Sequence, residues 1–405
     1  MSPRGRNILW ALIGAGVVAR LAVAYSTYGQ PYDMESLHLV RDALLDDPLH
    51  VYERVNLDVE SGLVRWPYAP GYFAWLAVAD VLPGVFHGTV QLLPIAADAL
   101  IALVVADFLG RRGASERTRL AAAGLIALGP SFAVVSGYHG HFDSVAILPV
   151  VVALWAWEGG VRPERRALVA GALIGVGAAV KTVPALMLAA LLPKARGLRE
   201  AGWLAVPAVA IPALALAPFF RTDPGAVRDA LGYHGAPGVG GVSLLTQPNL
   251  AEGWIGGQAV APNAATDFFL ESGGLVSASV GAGLLAFLLW TRPPAVQGAV
   301  VVWLALYVFA PGFFLQYAVW GMPFFLMAGY LGRALALQVV LLPPTVMIYS
   351  DSVDGSAAVA LYVACMLAVW LGFAIWLSLL AARCVRYHRR AHSSTHPEEW
   401  REMAL

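Results

Sequence analysis

Lysine is nearly absent from this sequence of 405 residues, which contains only Lys181 and Lys194. Charged residues of both signs make up only 13% of the chain, whereas apolar residues make up 59% and the mean hydropathy is +0.67. A water-soluble domain cannot bury so much apolar surface, but a lipid bilayer solvates it. The formal net charge is zero, so the composition gives no indication of a nucleic-acid partner.

The sequence also lacks the features of disulfide-rich and nucleotide-binding proteins. The two cysteines, Cys365 and Cys384, do not form a disulfide framework. No glycine-rich phosphate loop or nucleotide-binding βαβ pattern occurs, which argues against a soluble nucleotide site. The basic start, Met1–Arg6, leads into an apolar run with no small-residue cleavage site, so we expect an uncleaved first span.

Apolar runs divide the chain into about twelve candidate spans of the membrane. They predict an all-α, polytopic protein with one transmembrane domain over residues 1–385 and a polar cytoplasmic tail over 386–405. Several runs are shorter than the roughly 20 residues that a perpendicular helix needs, as in a helix that lines a protein cavity. The runs lie near residues 8–27, 89–109, 120–136, 144–157, 168–180, 183–193, 202–220, 269–290, 295–312, 316–331, 334–349 and 357–380.

Arginine placement predicts the orientation, because basic loops stay cytoplasmic. With about twelve spans, every basic cluster falls on one side, which puts both termini in the cytoplasm. The other face then carries the first loop, residues 28–87, together with the turn His139–Asp143 and the surroundings of Lys181. In the first loop, Asp33–Asp46 has the apolar spacing of an amphipathic helix at the interface, and Pro67–Leu82 predicts a second, interfacial or re-entrant helix.

Three groups of polar residues are candidates for a functional site, since ionisable side chains near apolar spans are costly. Asp33 and Glu35 belong either to an ordinary solvated loop or to a site where an acid acts as general base or holds a divalent cation. His139, His141 and Asp143 form either a solvated helix end or a binding site for a polar substrate, and the missing further ligands argue against zinc.

Two cations have similar alternatives. Lys181 either extends its ammonium to the interface or faces an anion in a cavity, where a phosphate is the natural counterion. Thr182 and Pro184 break the helix beside it, which favours the cavity. Arg20 has the same two alternatives. Asp98 is expected to pair with an arginine for structural reasons and is left outside the site.

Together, a carboxylate base, a phosphate-binding cation and sugar-binding groups suggest a transfer from a lipid phosphate. Several motifs resemble those of the GT-C glycosyltransferases, which use polyprenyl- or dolichyl-phosphate sugars. The similarity is to the first GPI mannosyltransferase and to the glucosyltransferases of the N-glycan precursor. It extends over about residues 10–325 and is carried by Asp33-Met34-Glu35, Arg65-Trp66-Pro67-Tyr68-Ala69-Pro70, Gly140-His141-Phe142-Asp143-Ser144-Val145, Lys181-Thr182-Val183-Pro184 and Gln316-Tyr317-Ala318-Val319-Trp320.

This resemblance implies an inverting hexosyltransferase, with mannose as the expected sugar. It implies Asp33 as the base, with Glu35 as the alternative, and a polyprenyl-phosphate sugar as the donor. The acceptor is a glycan, glycolipid or protein. No metal or other cofactor is expected to be required, with magnesium or manganese at Asp33 and Glu35 as the alternative. The residues expected to bind the donor phosphate and sugar are Lys181, Arg20, His139, His141, Asp143, Gln316 and Tyr317.

The alanine, glycine and arginine bias suggests a bacterium and hence a plasma membrane location. A cell-envelope glycan is the expected product of the transfer. A transporter or flippase of lipid-linked sugars is the rival, because broken helices and an intramembrane lysine also suit a substrate pathway. A transporter should carry polar groups in two repeated halves, and this sequence has no internal repeat. A non-catalytic scaffold would have no need of the combined Asp33, His141 and Lys181.

Overall fold

The computed structural model describes residues 1–56, 65–233, 239–255, 260–349 and 355–393. All regular secondary structure in these residues is helical, and each predicted apolar run contains helix. The expected all-α, multi-pass membrane protein is therefore confirmed. Within the described ranges, eight helices are long and apolar enough to cross a bilayer: Pro3–Ser26, Phe86–Arg111, Glu116–His139, Asp143–Gly160, Leu198–Thr222, Gly273–Thr291, Leu331–Tyr349 and Ser356–Arg389.

The expected count of about twelve spans is not confirmed, because the remaining runs form shorter helices. Three of these are apolar: Arg166–Val180, Val183–Lys194 and Ala295–Phe309. Further helices are Pro31–Asp46, Val51–Asn56, Phe73–Val81, Pro224–Leu231, Gly241–Thr246, Ala251–Ile255, Ala264–Glu271 and Ala318–Met327.

The chain folds into two compact units. The first comprises Met1–Leu188 and Ala195–Tyr233, and the second comprises Ala189–Lys194 and His234–Leu405. The last helix, Ser356–Ser393, continues past residue 386, where the polar tail was expected to begin. Residues 394–405 of that tail lie outside the described residues.

In the first unit, the amphipathic helix expected after the first span is confirmed. It runs over Pro31–Asp46, begins with proline, and is capped by the Gln30 side chain, which accepts a hydrogen bond from the amide of Asp33. Its buried face includes Met34, Leu37 and Val40. The helix predicted for Pro67–Leu82 is found as Phe73–Val81, which has only nine residues, too few to cross a bilayer.

Close helix packing fixes the position of Lys181 in the first unit. Two glycines one turn apart, Gly171 and Gly175, let the helix Arg166–Val180 approach the helix Leu198–Thr222. A Cβ atom on Gly171 would lie 2.2 Å from the carbonyl oxygen of Leu204, so only glycine fits there. Lys181 follows at the end of the first of these helices, in extended conformation.

Candidate active site

A break in helical geometry forms the histidine turn, residues His139–Asp143, and directs its polar groups into the protein. The preceding segment, Val135–His139, is a π-helix, and Gly140 then adopts a left-handed conformation with φ 78°. The amide of His141 closes the turn by donating to the carbonyl of Val135 at 3.1 Å. Such wide helical turns are frequent at functional sites, and a Cβ atom on Gly140 would lie 2.7 Å from the Met34 side chain.

Lys181 forms a buried cluster with His141 and Asp143 of this turn. The Lys181 ammonium donates to Oδ1 of Asp143 and lies 3.1 Å from Nδ1 of His141. The same His141 nitrogen is 2.8 Å from Oδ2 of Asp143. None of the three residues is more than 2% exposed. The charge of Lys181 is therefore already compensated by a carboxylate, and no phosphate is needed to explain the buried ammonium.

Asp33 joins this cluster from the first loop. Its Oδ2 accepts a hydrogen bond from Nε2 of His139, and its Oδ1 lies 3.9 Å from Nε2 of His141. Whereas His139 and His141 are almost fully buried, a quarter of the Asp33 side chain is exposed. Among the clustered acids, Asp33 is thus the one that an incoming substrate can reach.

The electrostatics of the cluster favour an ionised Asp33 and a neutral His141. Burial by itself would raise the pKa of Asp33, but the neighbouring His139, His141 and Lys181 together bring it below its ordinary value. Burial lowers the pKa of His141, against the opposing effect of Asp143. Near neutral pH, Asp33 is a carboxylate that can accept a proton.

Aromatic side chains from the end of the first loop cover the cluster. Tyr68 places its hydroxyl 3.2 Å from Nε2 of His141, and the Lys181 ammonium lies 4.5 Å from the centre of the Tyr68 ring. Phe142 stacks on Tyr72 with the ring centres 4.2 Å apart and on Trp66 with the ring centres 5.2 Å apart. The motif of residues 65–70 therefore packs against the histidine turn through these ring contacts.

Glu35 and Arg65 lie on the exposed side of Asp33. Glu35 is 55% exposed and lies 3.6 Å from the guanidinium of Arg65. Arg65 is 24% exposed and covers the Tyr32 ring at 4.3 Å from its centre. Arg65 belongs to the loop motif of residues 65–70, but the sequence did not predict it as a site residue. A signal for it existed, since it is the only basic residue in the predicted motif of residues 65–70.

Arg20 is buried with Asp98 rather than with the histidine turn. Its Nε is 3.2 Å from Oδ2 of Asp98, and its other nitrogens donate to the carbonyls of Gly16, Ala127 and Ile126. The expected pairing of Asp98 with an arginine is found here. The phosphate-binding role expected of Arg20 gains no support from these contacts and stays a prediction.

Asp98 also holds both flanks of the histidine turn. It accepts hydrogen bonds from the hydroxyls of Ser136 and Ser144, the first at 2.6 Å. Since Ser136 precedes the turn and Ser144 follows it, Asp98 fixes the distance between the two helices that the turn connects. Asp98, which the sequence analysis left outside the site, therefore holds the histidine turn in place.

Gln316 and Tyr317 belong to the second unit, where Tyr317 stacks on Trp320 with ring centres 3.9 Å apart. Their expected place at the rim of the site stays a prediction. Among the residues that the structure describes, no group of three histidine, cysteine or acidic side chains is arranged to hold a metal ion. The divalent cation considered for Asp33 and Glu35 therefore also remains a prediction.

No protein-family model and no curated protein matches the chain. Its structure is similar to those of several solved proteins, of which two are described here. ArnT from Cupriavidus metallidurans, solved bound to undecaprenyl phosphate, is 16% identical with a TM-score of 0.49, over 96% of this chain and 75% of ArnT. An oligosaccharyltransferase from Archaeoglobus fulgidus, tethered with an acceptor peptide, is 13% identical with a TM-score of 0.37, over 92% of this chain and 55% of that enzyme.

Proposed function

We propose that this protein is a membrane glycosyltransferase. In this proposal it moves a hexose, with mannose as the expected sugar, from a polyprenyl-phosphate donor to a hydroxyl acceptor with inversion at the anomeric carbon. The reaction takes place at the extracytoplasmic face, in the synthesis of a cell-envelope glycan. The acceptor is a glycan, a glycolipid or a protein.

One observation carries this proposal: a partly exposed carboxylate, Asp33, is held by His139 at the edge of an otherwise buried polar cluster. A general base must be ionised, reachable by the substrate and fixed in direction. Asp33 meets these requirements through its lowered pKa, its exposed quarter and its bond to His139. Glu35 is paired with Arg65 instead, which favours Asp33 as the base.

The proposed step exchanges one carbon–oxygen bond for another and transfers one proton. The acceptor oxygen bonds to the anomeric carbon while its proton passes to Asp33. The bond from that carbon to the phosphate oxygen breaks, and the polyprenyl phosphate leaves with the electron pair. The phosphate gains one negative charge in this step, so a nearby cation should lower the barrier more than it stabilises the bound donor.

Two residues are candidates for that cation. Lys181 was expected from the sequence, but it is 2% exposed and compensates Asp143. Arg65 is partly exposed and lies against Tyr32, the chain neighbour of Asp33. Its planar guanidinium suits a phosphate, which it can bind through two parallel hydrogen bonds. We therefore assign the leaving phosphate to Arg65 and propose that Lys181 keeps Asp143 and His141 in place.

The bound ligands of the similar structures indicate the same partners. ArnT was solved with undecaprenyl phosphate and the oligosaccharyltransferase with an acceptor peptide. A polyprenyl-phosphate donor is accordingly the first substrate to test. Purified protein should be incubated with radiolabelled polyprenyl-phosphate mannose, glucose and arabinose, in the presence of membrane glycolipids as acceptors.

We expect consumption of the mannose donor and release of polyprenyl phosphate, and we expect Asp33→Asn to abolish both. Movement of an intact donor across vesicles, without release of polyprenyl phosphate, would instead identify a flippase. Equal consumption by wild type and Asp33→Asn would contradict the proposed base.

A further inference from the structure

The second unit contains a groove that none of the proposed chemistry uses. It lies between the helices Leu331–Tyr349 and Ser356–Arg389 and has a volume of about 340 Å³. Apart from Arg333, every side chain along it is apolar or absent. Its lining includes Ala336, Leu337, Gly372, Phe373 and Trp376.

The groove exists because residues with little or no side chain stand where the two helices face each other. Ala336, Ala368 and Gly372 leave the space open, while the rings of Phe373 and Trp376 form its floor at 4% and 7% exposure. A Cβ atom on Gly372 would meet no atom within 4 Å. Between Ala368 and Leu379 the lining extends for about 16 Å of helix, roughly half of a 30 Å hydrocarbon core and thus about one leaflet.

A cation marks one end of this groove. Arg333 is exposed, and its guanidinium stacks on Trp376 and Tyr330 at 4.8 Å and 5.0 Å from the ring centres. Stacking holds the guanidinium plane and leaves the donors at its edge able to bind an anion. Burial raises the pKa of the Tyr330 hydroxyl, and the charges of Arg333 and Arg383 are both near enough to oppose that rise. No carboxylate of the described residues forms an ion pair with either arginine.

We propose that this groove is a binding site for an anionic glycerophospholipid. One acyl chain lies along Leu337, Gly372 and Phe373, and the phosphate of the headgroup meets Arg333, with Arg383 beside it. Two features identify the occupant: an apolar channel about as long as one leaflet, and a positive charge at its end that forms no ion pair with a carboxylate of the described residues. Basic pockets between transmembrane helices bind acidic lipid headgroups by the same complementarity.

Native mass spectrometry of the detergent-purified full chain tests this site. The protein is delipidated and then incubated with phosphatidylglycerol, phosphatidylcholine or a polyprenyl phosphate, each alone and in competition. We expect wild type to retain one phosphatidylglycerol in preference to phosphatidylcholine. Arg333→Gln should weaken phosphatidylglycerol retention by about tenfold to a hundredfold, the range for a hydrogen bond to a charged group, and should leave phosphatidylcholine retention unchanged.

A second variant tests the channel without removing a charge. Gly372→Leu fills the groove in a helix that tolerates leucine better than glycine, so it should keep the fold and lose the bound lipid. Gly281→Leu is the matched control, because Gly281 also lies in a helix of the second unit with no atom within 4 Å of an added Cβ. It should bind phosphatidylglycerol as wild type does.

Three results would overturn the proposal. Retention of phosphatidylglycerol by Arg333→Gln and Gly372→Leu at the wild-type level would show that the groove is not the site. Displacement of phosphatidylglycerol by polyprenyl phosphate at lower concentration would make the groove a donor-lipid site. A lipid-free dimer that Gly372→Leu dissociates would show that a second copy of the chain covers it.

Discussion

Removing the charge of Lys181 while Asp143 stays in place should strongly destabilise this protein. The two side chains are bonded to each other and are 3% and 0% exposed. Removal of one partner from a buried pair costs about 3–5 kcal/mol, because the remaining charge is uncompensated. At roughly 2 °C per kcal/mol, the lower value for large domains, Lys181→Met should lower Tm by about 6–10 °C.

A second substitution separates folding from function. Asp143→Asn removes the charge that Lys181 compensates, so Lys181→Met combined with Asp143→Asn should recover most of the lost stability. The coupling energy of this double-mutant cycle should be about 2–3 kcal/mol. Binding of a non-transferable polyprenyl phosphate is then measured below the Tm of every variant. If Lys181 only neutralises Asp143, the doubly substituted protein binds the lipid as wild type does.

If Lys181 itself holds the phosphate, the doubly substituted protein regains stability but binds the lipid about tenfold to a hundredfold more weakly. Lys194→Met is the control, since the only other lysine of the chain donates to a backbone carbonyl at an exposed position. Tryptophan fluorescence on heating in detergent gives the Tm values. A Lys181→Met protein as stable as Lys194→Met would refute the reasoning from the buried pair.

Four other outcomes are expected. Asp33→Asn should lower the transfer rate by about 10²–10⁴ with donor binding intact, measured by release of polyprenyl phosphate, and loss of activity in Glu35→Gln alone would move the base to Glu35. Burial lowers the pKa of His141, so on acidification the unfolded chain takes up a proton near pH 6.5 that the folded protein excludes. Tm should therefore fall between pH 7 and pH 5, and this fall should be smaller in His141→Gln. Activity should survive chelation by EDTA. If EDTA instead abolished the activity and added magnesium or manganese restored it, a metal would be assigned to Asp33 and Glu35. In a chain lacking Cys365 and Cys384, an impermeant thiol reagent applied to intact cells should label Glu35→Cys and not Ser115→Cys, and the reverse pattern would invert the topology.

The helices of this protein were largely predictable because their signals are local. Apolar runs and proline positions lie within one segment, and they indicated the spans and the helix that contains Asp33. The number of helices long enough to cross the membrane was harder to predict. Whether a run such as residues 168–180 forms a span or a shorter helix depends on the neighbours that cover its ends, and a hydropathy window does not contain that information.

The partners of the charged residues were the least predictable feature. The sequence identified Arg20, Asp98, Asp143 and Lys181 as unusual, but it did not determine which cation meets which carboxylate. The structure pairs Arg20 with Asp98 and Lys181 with Asp143, across separations of 78 and 38 positions.

The sequence by itself determined the class of protein, its helices and the turn that collects the polar groups, because hydropathy and helical periodicity act over a few residues. Only the tertiary structure decided the electrostatics of the site: it buries Lys181 against Asp143, leaves a quarter of Asp33 exposed and brings Arg65 onto Tyr32. The physical reason is that the effect of a charge depends on its distance from other charges and from solvent, and both are set by helix packing.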